Sequence, residues 1–299
     1  MLQNTFLHLA GVGETTEQRF WKAGFTTWSD VLDAPKLPFW RSKEKRIKTE
    51  LEESFRRLEM RDAGWFCSRL PAGQSWRYFP EFRDLCASVD IETTGGMFDE
   101  EHITSIAMCA GGRVTTYVYG RNLEEFLDRA SEYAVFITFN GRCFDLPYLQ
   151  RSFGSNFPHG HIDLRFIFKP LGFTGGLKVL EKNFGLDREE LDGVDGLAAV
   201  WLWREYEVSG DPLALETLLA YNAMDTANLE TLMVEAYNAR RAEIPLPGFE
   251  PLERPAPVEI PHTPHIPTLA RVLQQTSCFS NRRSHGSPFG AWRPTSSQR

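Results

Sequence analysis

The sequence predicts an α/β protein, a mixed sheet of five strands with helices packed on its faces. Three observations lead there. The run V-F-I-T-F at residues 135–139 is β-rich and continuously apolar, which suits a buried strand. Residues 103–110 and 113–119, split by Gly111-Gly112, read as a hairpin. From residue 123 onward, strand-like and helix-like segments alternate, as they do where helices cover a sheet. In chain order, residues 87–92 (A-S-V-D-I-E) give the first strand and the hairpin gives the next two. A helix at 123–133, the strand at 135–139, a helix at 146–151 and a strand at 161–166 follow, and helices at 177–184, 197–206 and 213–239 close the series.

Four regions organise the chain. Residues 1–35 form a small helical unit, 36–82 a charged helical connector, 83–243 the alternating domain and 244–299 a tail. Eight prolines lie between Pro245 and Pro267. Proline lacks a backbone donor and fixes φ, so this stretch sustains neither a helix nor a central strand. Residues 268–299 carry five arginines and no acidic residue, with a short helix fitting 269–275. The tail is expected to be solvated and disordered, the alternative being a basic arm that touches nucleic acid or a partner.

A hydrophobic fraction of 42% with 13% aromatics supports a packed core. No apolar run approaches the roughly 20 residues that cross a bilayer, so no membrane association is expected. Residues 1–11 lack a basic segment followed by a long apolar one, which argues against a secretory signal. The five cysteines, Cys67, Cys86, Cys109, Cys143 and Cys278, are widely spaced with no C-x-x-C pair. Reduced thiols in a cytoplasmic protein are expected, not a zinc site or disulfide framework. A net charge of −7 excludes a generally basic nucleic-acid-binding surface. It leaves room for carboxylates that hold divalent cations.

Asp90 and Glu92 stand two apart on the first strand, so both side chains leave the same face while Val89 and Ile91 turn to the other. Two like charges side by side raise each other's pKa, and a cation between them removes the conflict. The alternative is a pair of solvent-facing acids. Asp145, in N-G-R-C-F-D-L-P-Y-L, lies where the strand at 135–139 gives way to a helix, with Pro147 suited to the first turn. It is either a simple N-cap or a carboxylate facing the end of a neighbouring strand. Tyr221 and Asp225, in Y-N-A-M-D, are four apart on a helix and share a face. Alone, they equally describe an exposed acid beside a half-buried tyrosine. A strand pair, a helix-start Asp and a helix-face Tyr–Asp can converge on one sheet edge. Four hard oxygen ligands with no His or Cys among them suit Mg²⁺ or Mn²⁺, two ions in the common arrangement.

The segments D-I-E-T-T-G, N-x-x-x-F-D and Y-x-x-x-D, in this order, resemble the three motifs of the DEDD superfamily of 3′–5′ exonucleases. The resemblance covers about residues 86–238, closest to YprB-type ribonuclease-H-like domains and, more distantly, to the proofreading domain of family B DNA polymerases. It implies a ribonuclease-H-like fold and a two-metal phosphodiesterase acting on a DNA or RNA 3′ end. Asp90 would bridge both ions, Glu92 and Asp225 would hold the one that activates water, and Asp145 would serve the second. Tyr221 would orient or deprotonate the water. Ala220 stands where one branch of the superfamily has a His, which places the chain in the tyrosine branch. Asn140 and Phe144 match the second motif and, with Thr93, would position the terminal nucleotide.

His161 is expected at a strand end and Asp163 in support of the sheet or near the site. Lys178, in G-G-L-K-V-L-E-K-N-F-G, could meet a phosphate, although an exposed helix lysine is the plainer expectation. Residues 7–32 resemble a helix-hairpin-helix unit, whose G-V-G turn would offer backbone amides to a phosphate. An ordinary packing module is the equal alternative. Residues 36–49 carry six basic residues and one acid, which fits a nucleic-acid backbone or a solvated helix face. A non-catalytic nucleic-acid-binding or scaffold protein on the same fold, or a metal-dependent endonuclease, remain the competing functions.

Overall fold

The computed structural model describes residues 1–37, 41–96, 101–154, 157–191 and 194–285. A five-stranded sheet runs in the order β3-β2-β1-β4-β5. Its strands are β1 (Cys86–Thr93), β2 (Ile103–Ala110), β3 (Arg113–Val118), β4 (Val135–Thr138) and β5 (Gly160–Asp163). β1, β2 and β3 pair antiparallel, whereas β1–β4 and β4–β5 are parallel, so the sheet is mixed as its sequence predicts. β1 is central and bears the D-x-E pair. Its register with β2 shifts between Glu92 and Thr93, a bulge that bends the strand where its acids emerge.

The N-terminal part contributes α1 (Glu14–Lys22), α2 (Trp28–Asp33), α3 (Glu44–Glu59), α4 (Ala63–Cys67) and α5 (Phe79–Phe82). α2 opens with a capping box, Thr27 and Asp30 each satisfying the other's backbone amide. Phe6, Trp28, Phe66 and Trp76 share one core with Val135, Ile137 and Ile162 of the sheet. A buried ion pair, Arg77 to Glu17 at 2.9 Å, joins α1 to the segment that leads into β1. The helix-hairpin-helix resemblance is incomplete, because only a 3-10 turn, Leu2–Asn4, precedes the G-V-G turn. Beside that turn the Ala10 amide donates to Glu50 at 2.9 Å and the Ala10 carbonyl accepts from Arg46 at 2.8 Å. Lys48 donates to the carbonyls of Leu32 and Ala34. Two of the basic residues in 36–49 therefore hold the fold's own carbonyls.

The remaining helices cover the sheet. They are α6 (Glu125–Ala130), α7 (Asp145–Phe153), α8 (Leu164–Phe168), α9 (Leu177–Asn183), α10 (Gly196–Ser209), α11 (Pro212–Ala227) and α12 (Leu229–Arg241). Ala87, Val89 and Ile91 face α6 and α7, packing with Phe126 and Leu149. The opposite face of β1, with Asp90 and Glu92, turns toward α11. Two expectations fail here. The segment 161–166 is not all strand: the Asp163 side chain accepts the Arg165 amide and caps α8. Leu164, Ile167 and Phe168 then bury at helical spacing. The segment 213–239 is two helices, not one. Thr226 turns its hydroxyl back to the carbonyls of Asn222 and Ala223, and Asn228 spends its amide on Glu181, which ends α11.

The tail also differs from the expected solvated segment. Its prolines do keep 249–265 free of helix and strand, but the chain is pinned. Asn238 exchanges hydrogen bonds with the Leu252 backbone at 2.8 and 2.9 Å. His262 lies 2.9 Å from the Thr116 hydroxyl, and Val258 and Ile260 pack on Val114 and Ala223. A last helix, α13 (Ile266–His285), buries Leu269 and Val272 among residues of α10 and α11. Apolar residues at i and i+3 thus give the tail a docking stripe. The arginine-rich end beyond residue 285 lies outside the described residues. No described helix is long and apolar enough to cross a membrane.

Candidate active site

Strand alternation and the β1 bulge bring Asp90 and Glu92 out on one face, and α11 crosses that face with Asp225. One carboxylate oxygen from each of the three lies within 4.8 Å of the others. Asn222 fixes the crossing. Its amide donates to the Asp90 carboxylate at 2.8 Å and to the Asp90 carbonyl at 3.2 Å, and its oxygen accepts from Ser105 at 2.9 Å. α11 is thereby tied to both β1 and β2 at the site. Tyr221, one turn before Asp225, is buried against the same group.

Asp145 begins α7 and is 3% exposed. It is not an N-cap: one oxygen accepts the Ile91 amide of β1 at 3.2 Å. It stands apart from the three close carboxylates but lines the same cleft, of about 430 Å³, with Asp90, Glu92, Thr93, Asn140 and Phe144. The opposite wall comes from the start of α10, through Leu197 and Val200. Gly95 makes this approach feasible. Its φ is +68°, and an added Cβ would meet Val200 at 2.9 Å.

The second motif is a tightly held loop. Asn140 adopts a left-handed φ of 67°. Asp163 accepts the amides of Asn140 at 2.8 Å and Arg142 at 3.0 Å. The Asn140 side-chain oxygen accepts from Arg165 at 2.5 Å. An added Cβ on Gly141 would meet Thr138 Oγ1 at 2.3 Å, so only glycine fits beneath the turn. Asp163 thus supports the site without joining it. His161 hydrogen-bonds the Thr138 hydroxyl at 2.8 Å, and burial holds its imidazole down to about 4. Phe144 packs against Tyr148 with ring centres 4.8 Å apart and a tilt of 50° between the rings, and it remains 38% exposed. Thr93 is buried and accepts the Gly95 amide at 3.2 Å.

The electrostatics are those of a cation site. Burial and then the neighbouring Asp225 and Asp145 push the Asp90 and Glu92 carboxyls well above their usual range. Burial pushes Asp145 up to about 7 against the pull of its backbone donors. Burial, then Asp225, Glu92 and Asp90, raise the Tyr221 phenol. At an effective dielectric of about 20, each fully charged pair of carboxylates at such separations costs roughly 3.5 kcal/mol. The cluster therefore calls for positive charge, and three converging hard oxygens fit a divalent ion.

A family model described as the RNase_H superfamily matches residues 87–237, from β1 to α12. The chain belongs to the RNase H superfamily. No curated protein matches it. In this superfamily an acidic cluster on a mixed sheet goes with nuclease chemistry on nucleic acid, and the carboxylates of Asp90, Glu92 and Asp225 could hold the metal.

Two cations stand beside the carboxylates of this RNase H superfamily site, Lys178, whose surroundings differ from the plainer expectation, and Arg188, which the sequence does not mark. Lys178 is not the exposed helix lysine expected: it is half-buried, its ammonium 4.9 Å from the Tyr221 ring centre, and burial lowers its pKa against the pull of Asp225. Arg188, 3% exposed, bridges Glu181 at 2.5 Å and Asp225. The G-G-L-K segment gave a signal for Lys178. Nothing in the local pattern marks Arg188, because its partners lie on two other elements.

Proposed function

We propose that this protein is a metal-dependent 3′–5′ exonuclease of the DEDD superfamily's tyrosine branch, hydrolysing phosphodiester bonds at single-stranded DNA or RNA ends. The observation that carries it is the meeting of the Asp90–Glu92 strand pair with the Tyr221–Asp225 helix pair around one small gap. Bound there, two Mg²⁺ or Mn²⁺ ions would supply positive charge for the attacking water and for the departing 3′ oxygen. Asp90 would contact both ions, Glu92 and Asp225 would hold one of them, and Asp145 would serve the other. Asp145 has one oxygen engaged by the Ile91 amide, which holds the carboxyl group at the cleft it lines. Tyr221 would orient the attacking water through its hydroxyl, which burial and then the surrounding acids keep protonated. Lys178 sets a positive charge beside the scissile phosphate. Thr93, Asn140 and Phe144 position the terminal nucleotide, Phe144 by stacking and Asn140 through a side chain that Arg165 holds in place. The free thiols of Cys67, Cys86, Cys109 and Cys143 are consistent with the cytoplasmic setting we assign.

The test is product analysis on 3′- and 5′-labelled single strands with Mn²⁺. Stepwise release of mononucleotides from the 3′ end is expected, with loss of cleavage in Asp90→Asn and in excess EDTA. Cleavage of a circular single strand would replace the exonuclease with an endonuclease. Undiminished cleavage by Asp90→Asn would remove the site altogether.

A further inference from the structure

Next to the acidic cleft lies a second hollow, of about 150 Å³, whose chemistry is the reverse of the cleft's. Phe139 lines both. Arg165, on the wall of the second hollow, reaches across to Asn140 of the first. Among the described residues the hollow is lined by two cations, Arg165 and Lys169, and by no carboxylate. That is unusual on a chain whose net charge is −7. Its floor is aromatic. Phe168, Phe173 and Phe184 pack on one another with ring centres 5.3 to 5.6 Å apart, so two neighbouring rings support Phe173. The hydroxyl of Thr174 and the amide of Asn183 add polar groups at the rim. A volume near 150 Å³ admits one aromatic ring system.

We infer that this hollow is a strand-binding subsite that takes a nucleotide adjoining the one in the cleft, its base against Phe173 and its phosphate on Lys169 and Arg165. Aromatic walls accept any base by stacking, and flanking cations follow the backbone phosphates, which together give binding without sequence preference. The acids of the cleft need metals before they tolerate a phosphate, whereas this hollow attracts one unaided. The substrate class is then a single-stranded polynucleotide long enough to occupy both hollows. The inference rests on the nuclease reading for its choice of ligand.

The experiment measures binding of a mononucleotide and a dinucleotide by fluorescence anisotropy in Ca²⁺, and cleavage of the dinucleotide in Mn²⁺. The proteins are the full-length chain, Lys169→Glu and Thr174→Trp. Lys169 and Thr174 are exposed, so both variants are expected to fold, and Trp at 174 fills the hollow. The dinucleotide is expected to bind the wild type about tenfold more tightly than the mononucleotide, and each variant to lose most of that preference. An undiminished length preference in both variants overturns the subsite, whether or not the protein cleaves. A preference that both variants abolish, in a protein that cleaves nothing in Mn²⁺, supports the subsite and overturns the nuclease reading instead.

Discussion

Replacing Arg188 with Met removes the one described cation that touches a carboxylate of the site. Arg188 and Glu181 have side chains 2% and 0% exposed, and Asp225 is 11% exposed. Arg188 keeps its charge because Asp225 and Glu181 outweigh the burial that opposes it. Its loss leaves two carboxylates facing the interior without their partner. Breaking a buried ion pair from one side costs about 3–5 kcal/mol, far more than the pair contributes over an apolar replacement. With roughly 2 °C per kcal/mol for a chain of this size, Tm is expected to fall by about 6–10 °C in EDTA. Differential scanning fluorimetry reads this directly. Adding Glu181→Gln to Arg188→Met should restore part of the loss, because one of the stranded charges is gone while the Asn228 amide still has an oxygen to meet. A fall of less than about 2 °C in the single variant would refute the assignment of Arg188 as the charge that balances Asp225.

The pH dependence of stability should run opposite to that of an ordinary salt-bridged carboxylate. Burial raises Asp145 to about 7 and raises Asp90 and Glu92 in the same sense, so the folded chain binds these protons more tightly than the unfolded one. Stability contributed by the protonated acids is then lost as pH climbs from the ordinary carboxyl range toward the folded values. In EDTA, Tm is expected to rise as the buffer goes from about pH 8 to about pH 6, and saturating Mg²⁺ to flatten that rise; a metal-free Tm that drops over the same interval contradicts it. In the tail, the double substitution Leu269→Ala/Val272→Ala empties the stripe that docks α13, at a cost of roughly 2 kcal/mol or more. Limited proteolysis should then cut within residues 244–265 faster than in the wild type, and an unchanged digestion pattern would show that α13 does not hold this Pro-rich segment in place.

What was legible in the sequence is what depends on local period. β1, the β2–β3 hairpin and β4 could be placed because alternation and apolar runs write their burial directly. The D-x-E pair and the Tyr–Asp pair could be placed on faces for the same reason. The start of α8 was misread because the short segment H-I-D-L-R-F at 161–166 alternates like a strand until Asp163 is known to cap a helix. The break after Ala227 was hidden because Thr226 and Asn228 act through hydrogen bonds to a neighbouring turn and to Glu181. Proline content described the conformation of residues 249–265 but not their docking, which rests on Val258, Ile260, Leu269 and Val272 finding apolar partners. Arg188 could not be read at all, since its two carboxylates come from α9 and α11.

Crystals soaked in Mn²⁺ and measured at the manganese absorption edge offer the most direct trial of the converging carboxylates. Anomalous peaks should appear within coordination distance of Asp90, Glu92 and Asp225, with a neighbouring peak toward Asp145. Manganese bound only at scattered surface acids, or absent from this cleft at saturating concentration, would contradict a divalent-ion centre there.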